Sequence, residues 1–289
     1  MKIRILLLTM LPVICLAQVN PNGEKPAGEL LSKEISPNEM KRNASFNVEE
    51  IKVRWKKAAL ENCTGVPCVV TPPAPSFTCG TSPVSDIEGN TYNTVAIGTQ
   101  CWTKENLKVT KYNDGTDIPL DASGGLDGIT GGENWSTRIA GAYTIYANQS
   151  STGTNASNYG YLYNWYAVND SKKLCPAGWH VPTDTEWTTL TAFFGGLGFA
   201  GGKMKQTGTT LWNTPNTGAD NTSGFTGLPG GYRLFDGSFL SIRDDTFFWS
   251  ASESGTSNAW YRSLSTFSSN VSRNNIGKSF GASVRCLRD

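Results

Sequence analysis

Histidine is almost missing from this chain, which carries only His180 among 289 residues. A Ser-His-Asp triad or a histidine-rich zinc site would have to be built on that single ring. An excess of one charge is missing too, with 25 basic residues against 24 acidic ones. No basic stripe of the kind that marks a nucleic-acid binder is visible, and no polybasic segment for a membrane surface. Past the N-terminus, no apolar run reaches the roughly 20 residues that a membrane-crossing helix needs. There is no repeat of fixed period, so a solenoid or propeller is not expected.

What is present begins with a targeting segment. Lys2 and Arg4 precede an apolar core over residues 5–14, and Cys15-Leu16-Ala17 offers a small-residue cleavage site before Gln18. This is the pattern of a cleaved signal peptide over residues 1–17. Cys15 suggests lipidation, but Ile14 stands where such a site wants a small residue, so ordinary cleavage after Ala17 is expected. Cleavage removes two of the 25 basic residues and none of the 24 acidic ones, leaving a net charge of about −1. The expected location is secreted or associated with the cell surface or outer membrane. Of seven cysteines, Cys63, Cys68, Cys79, Cys101, Cys175 and Cys286 remain after cleavage. An even number in an exported chain reads as a disulfide framework, for which six cysteines allow about 15 pairings.

Residues 18–44 are polar, with Pro21, Pro26 and Pro37, and read as a disordered tether. Residues 45–80 read as a helix followed by a Pro/Cys-rich linker. Val48, Ile51, Trp55, Ala58 and Ala59 recur at helical spacing, and Asn47 can cap a helix over residues 47–60. Its apolar stripe would dock on its own domain or on a partner. Thr71-Pro72-Pro73-Ala74-Pro75 then forms a semi-rigid spacer. Residues 81–289 are long enough for one main domain. With no further domain after Asp289, no separate C-terminal sorting module is expected.

Within that domain, residues 84–102 read as two strands around a Gly89-Asn90 turn, with a second turn at Gly98. Residues 113–137 form a long Gly/Asp-rich loop, a kind of segment that tends to carry function or to be disordered. Residues 247–253, 259–264 and 283–288 read as strands, the last one buried. Thr183 and Glu186 have capping-box spacing, which predicts a helix through Thr188, Leu190 and Phe193 that stops at Gly195-Gly196.

The run Leu174-Cys175-Pro176-Ala177-Gly178-Trp179-His180-Val181-Pro182-Thr183-Asp184-Thr185-Glu186-Trp187 is a family signature. Together with Thr103-Lys104-Glu105-Asn106-Leu107, the aromatic run at residues 161–168 and Phe225-Thr226-Gly227-Leu228-Pro229-Gly230-Gly231-Tyr232-Arg233, it resembles the Fibrobacter succinogenes major paralogous domain. The resemblance spans roughly residues 86–289. It implies an α+β, C-type-lectin-like fold similar to that of formylglycine-generating enzymes and of retroelement variable proteins. In that fold two helices pack on small, twisted, mostly antiparallel sheets with long glycine-rich loops. The aromatic run fits helix or strand by pattern, and the resemblance favours helix. Proximity and the resemblance together imply bridges Cys63–Cys68, Cys79–Cys101 and Cys175–Cys286.

The oxidases of this fold use two closely spaced cysteines near the C-terminus, whereas this chain has Cys286 alone there. A Cys175–His180 dyad competes with a disulfide, the commoner fate of an exported cysteine. His180 is expected to be a packed ring bonded to a backbone carbonyl. Asp184 and Glu186 read as helix-start residues rather than a hydrolytic pair. Asp114, Asp117, Asp121, Asp127 and Glu133 share a loop and are weak calcium candidates, their spacing matching no calcium loop. No cofactor is therefore assigned and no enzyme activity is expected.

Recognition remains. Residues 254–280 alternate aromatic with amide and arginine side chains, and the resemblance places the ligand-facing surface there. The candidate ligand residues are Asn258, Trp260, Tyr261, Arg262, Asn270, Asn274 and Asn275, with Arg273 among them. Trp179, Trp187 and Trp249 are expected in the core. The ligand would be a glycan or a surface protein. A structural subunit of an outer-surface assembly, attached through the 47–60 helix, is the alternative, ahead of a hydrolase or oxidase.

Overall fold

A computed structural model describes residues 77–122 and 135–289. The signal peptide, the tether, the 47–60 helix, Cys63–Cys68 and the proline spacer lie outside the described residues, as do Asp127 and Glu133.

The domain opens with two hairpins. In the first, β1 (Val84–Ser85) pairs antiparallel with β2 (Thr91–Tyr92). Asp86 organises its turn, accepting from the backbone N–H groups of Glu88 and Asn90 and, at 2.7 Å, from the Tyr92 hydroxyl. In the second, β3 (Thr94–Ile97) meets β4 (Gln100–Thr103) across a two-residue turn. Gly98 sits there at φ 60°, a conformation that glycine adopts without a side-chain clash.

Between these hairpins and the signature run lie β5 (Tyr143–Thr144), α1 (Thr154–Tyr159), β6 (Leu162–Tyr163) and α2 (Trp165–Val168). The aromatic run expected as one helix is thus a strand followed by a single helical turn. The break is at Asn164, whose side chain accepts from the Ala167 N–H and caps α2. After β7 (Trp179–His180), α3 (Asp184–Phe193) begins where the capping box predicts. Thr183 Oγ1 accepts from the Glu186 N–H, and the Glu186 carboxylate accepts from the Thr183 N–H at 2.7 Å.

α4 (Leu197–Met204) follows at once. Its Gly201 and Gly202 are required by close approach, because a Cβ on either would fall 2.2 Å from the carbonyl oxygens of Asn270 and Gly218 respectively. Where two helices were expected, the described residues hold four, α1 and α2 being too short to read from periodicity.

The remaining strands are β8 (Gly230–Arg233), β9 (Phe239–Ile242), β10 (Asp245–Glu253), β11 (Asn258–Ser265), β12 (Ser272–Gly277) and β13 (Leu287–Arg288). They form a five-stranded sheet of order β12-β11-β10-β8-β9, in which only β8 and β10 run parallel. β13 inserts between β4 and β7 in a four-stranded antiparallel sheet. The expected strand at 283–288 shortens to these two residues because the chain changes partners on the way. Ser283 bonds Phe247 and Trp249 of β10, whereas Cys286 bonds Thr103 of β4.

Two cores result, and β10 feeds both, since neighbouring residues on a strand point to opposite faces. Trp249 packs with Tyr163, Trp165, Phe280 and Val284. Phe248 packs with Trp102, Trp187, Trp212, Phe225 and Leu264. Trp179, Trp187 and Trp249 are all buried, as expected of them. Cys79 is bonded to Cys101, and Cys175 to Cys286, the second bridge joining β7's approach to β13. No described helix is long and apolar enough to cross a membrane.

Candidate ligand site

The β11–β12 ribbon forms one end of the five-stranded sheet, and its register sorts the expected ligand residues. Asn258 lies opposite Gly277, Trp260 opposite Asn275, Tyr261 opposite Asn274, and Arg262 opposite Arg273. Alternation puts Asn258, Trp260, Arg262, Arg273 and Asn275 on the face toward α3, and Tyr261 and Asn274 on the other. Trp260 and Tyr261 are each half-buried.

On the α3 face the organising group is Asp184, the first residue of that helix. Its carboxylate accepts from Arg262 Nη1 at 2.7 Å and, side-on, from Arg273 Nε at 3.0 Å and Nη2 at 2.8 Å. Burial alone would raise the Asp184 pKa, but its bonds to Arg273 and Arg262 outweigh that and hold it below the usual carboxylate range. Arg273 then lies over the Trp260 ring, its guanidinium carbon 3.7 Å from the ring centroid. Beside them the Asn258 side chain donates to Asn275 Oδ1 at 3.0 Å.

The structure thus brings Asn258, Trp260, Asn275 and Arg273 together. Arg262 is a correction to its expected ligand-facing role. It is fully buried, spent on Asp184 and on the Thr188 hydroxyl, and so it holds the ribbon to α3. Tyr261 packs on Phe247 at 5.1 Å, on the opposite face. Asn274 uses its side chain on the Asn275 N–H. Asn270 is exposed but belongs to the turn against α4, where Gly201 meets its carbonyl. Sequence reading missed Asp184 as a member of the group. Its 78-residue separation from Arg262 and 89 from Arg273 leave no local signal.

The other candidates fare differently. Asp121, a weak calcium candidate, is instead buried against Arg233 at 3.2 Å. Asp114 caps the Thr116 N–H, and Asp117 pairs with Lys111. Among the described residues no three His, Cys, Asp or Glu side chains converge as a metal site requires. Cys175 is engaged by Cys286 and cannot act as a thiolate. His180, expected on a backbone carbonyl, instead sits between two carboxylates, Asp289 Oδ1 at 2.6 Å from Nδ1 and Glu186 Oε1 at 3.0 Å from Nε2. A small cavity of about 130 Å³ lies alongside, lined by Asp170, Lys173, Cys175 and His180.

The family model described as the Fibrobacter succinogenes major domain matches residues 95–288. No curated protein and no solved structure matches this chain.

Proposed function

The chain belongs to the Fibrobacter succinogenes major domain family, and on that basis we propose that it is an exported, non-catalytic recognition domain of C-type-lectin-like fold. It binds a glycan or a surface protein through the α3-facing side of the β11–β12 ribbon. One observation carries this reading: a half-buried Trp260 at the sheet's end, held by Arg273 and flanked by the Asn258–Asn275 amide pair. An aromatic ring with a few fixed polar groups is the chemistry of small-ligand and sugar recognition. The two disulfides support export, because such bonds persist in oxidising compartments. The engaged Cys175 and the twice-bonded His180 support a non-catalytic role. The proposed site uses no metal.

The alternative, a structural subunit of an outer-surface assembly, is favoured by one feature of the described residues. Phe193, Leu197 and Phe199 are exposed around the α3–α4 corner, an apolar surface of a kind that often meets a partner.

The test is a glycan and polysaccharide array probed with the oxidised, monodisperse protein, in calcium and in chelator. Calcium-independent binding that Trp260→Ala abolishes, with the melting temperature intact, is the expected result. Chelator-sensitive binding would move the site to the Asp-rich loop. A blank array, with cross-linking to a cell-surface protein, would replace the sugar with a protein ligand.

A further inference from the structure

We infer that the ligand of the β11–β12 site carries an anionic group, a carboxylate or sulfate on a glycan, received by the outward edge of the Arg273 guanidinium. The inference rests on the recognition reading above, in its glycan form. Two guanidiniums share the single carboxylate of Asp184. The cluster therefore carries one uncompensated positive charge, and part of it is out of water: the Arg262 side chain is 1% exposed and that of Asp184 17%. The outer member, Arg273, is 36% exposed.

Arg273 gives its Nε and Nη2 to Asp184, and its Nη1 makes no hydrogen bond among the described residues. A guanidinium pinned along one edge and stacked on Trp260 is preorganised, so presenting its free edge to an oxyanion costs little further side-chain entropy. Charge-assisted bonds of this kind are roughly twice as strong as neutral ones. Asn275 sits on the same face two residues along β12, opposite Trp260, and with Asn258 supplies amide groups for neighbouring hydroxyls. An anion would balance the excess charge while a sugar ring meets the exposed side of Trp260.

Matched probes separate this from binding of neutral sugars: polygalacturonate beside its methyl ester, and dextran sulfate beside dextran, each titrated against the oxidised protein at low and high salt. The expected result is binding of at least one charged probe over its neutral partner, weakened at least tenfold by Arg273→Gln and by Trp260→Ala, and weakened by salt. Arg273→Lys serves if the glutamine variant fails to fold. It keeps a cation for Asp184 but removes the second edge, and it should lose binding similarly. Equal binding to charged and neutral probes, or a lysine variant that binds like the parent, overturns the anionic inference. If only neutral probes bind, and Trp260→Ala abolishes that, the recognition reading stands and this inference falls. If no probe binds, this inference falls together with the glycan form of the recognition reading.

Discussion

Arg285 shows what a single buried side chain does in this protein. It is completely buried, and its guanidinium donates to Asn106 Oδ1 at 2.6 Å and to the carbonyls of Thr103, Phe225 and Thr226. Those acceptors come from two separate stretches of chain, so one cation replaces the water they would otherwise need. Arg285→Leu leaves several buried acceptors unpaired and should cost on the order of 3 kcal/mol, read as a lower urea midpoint with unchanged slope. Lys205 acts similarly, its ammonium donating to the carbonyls of Thr217, Ser265 and Ser268. Asp184 has a pH signature. Its pKa is depressed in the folded state, so its contribution is present above the ordinary carboxylate range and is lost as pH falls through the folded value. Asp184→Asn should therefore be less stable at neutral pH and show a shallower loss below about pH 4 in acid titrations followed by circular dichroism.

At the scale of the element, α3 is both a packing helix and the base of the ligand site. Its inner face buries Trp187 and Leu190, while its first turn holds Asp184 for the ribbon and Glu186 for the cap. Burial would raise the Glu186 pKa, but bonds from Thr183 and the neighbouring His180 lower it below the usual range. Thr183→Ala removes one half of the capping box and should cost about 1 kcal/mol. Because the same turn carries Asp184, amide exchange at residues 184–188 should quicken in that variant. Exchange that quickens equally across β3 and β4 would instead mean global loosening. The helix was legible in the sequence because capping is local. The partners of Asp184 were not, because the ribbon reaches it only after β10 and β11 have folded back.

For the whole molecule, β13 is the closing piece. It lies between β4 and β7, and the 111-residue separation of Cys175 and Cys286 makes their bridge the longer of the two described. On the chain-entropy model, removing it should cost about 5 kcal/mol, against about 3 for Cys79–Cys101 with its separation of 22 residues. Paired alanine variants compared in guanidinium titrations check that order. A larger loss for the shorter loop would mean that strain or packing, rather than chain entropy, dominates.

The sequence by itself determined what depends on neighbours along the chain: the hairpin turns at Gly89 and Gly98, the start of α3, the strands around Trp249 and Trp260, and the family signature. It also marked 254–280 as rich in aromatic and amide groups. Only the tertiary structure decided which of those groups stand together. Strand alternation and register put Tyr261 and Asn274 on one face and Trp260 and Asn275 on the other. Burial then turned Arg262 and Asp121 from surface candidates into paired interior charges. Those two pairings join residues 78 or more positions apart, a range over which residue order carries no direct geometric information.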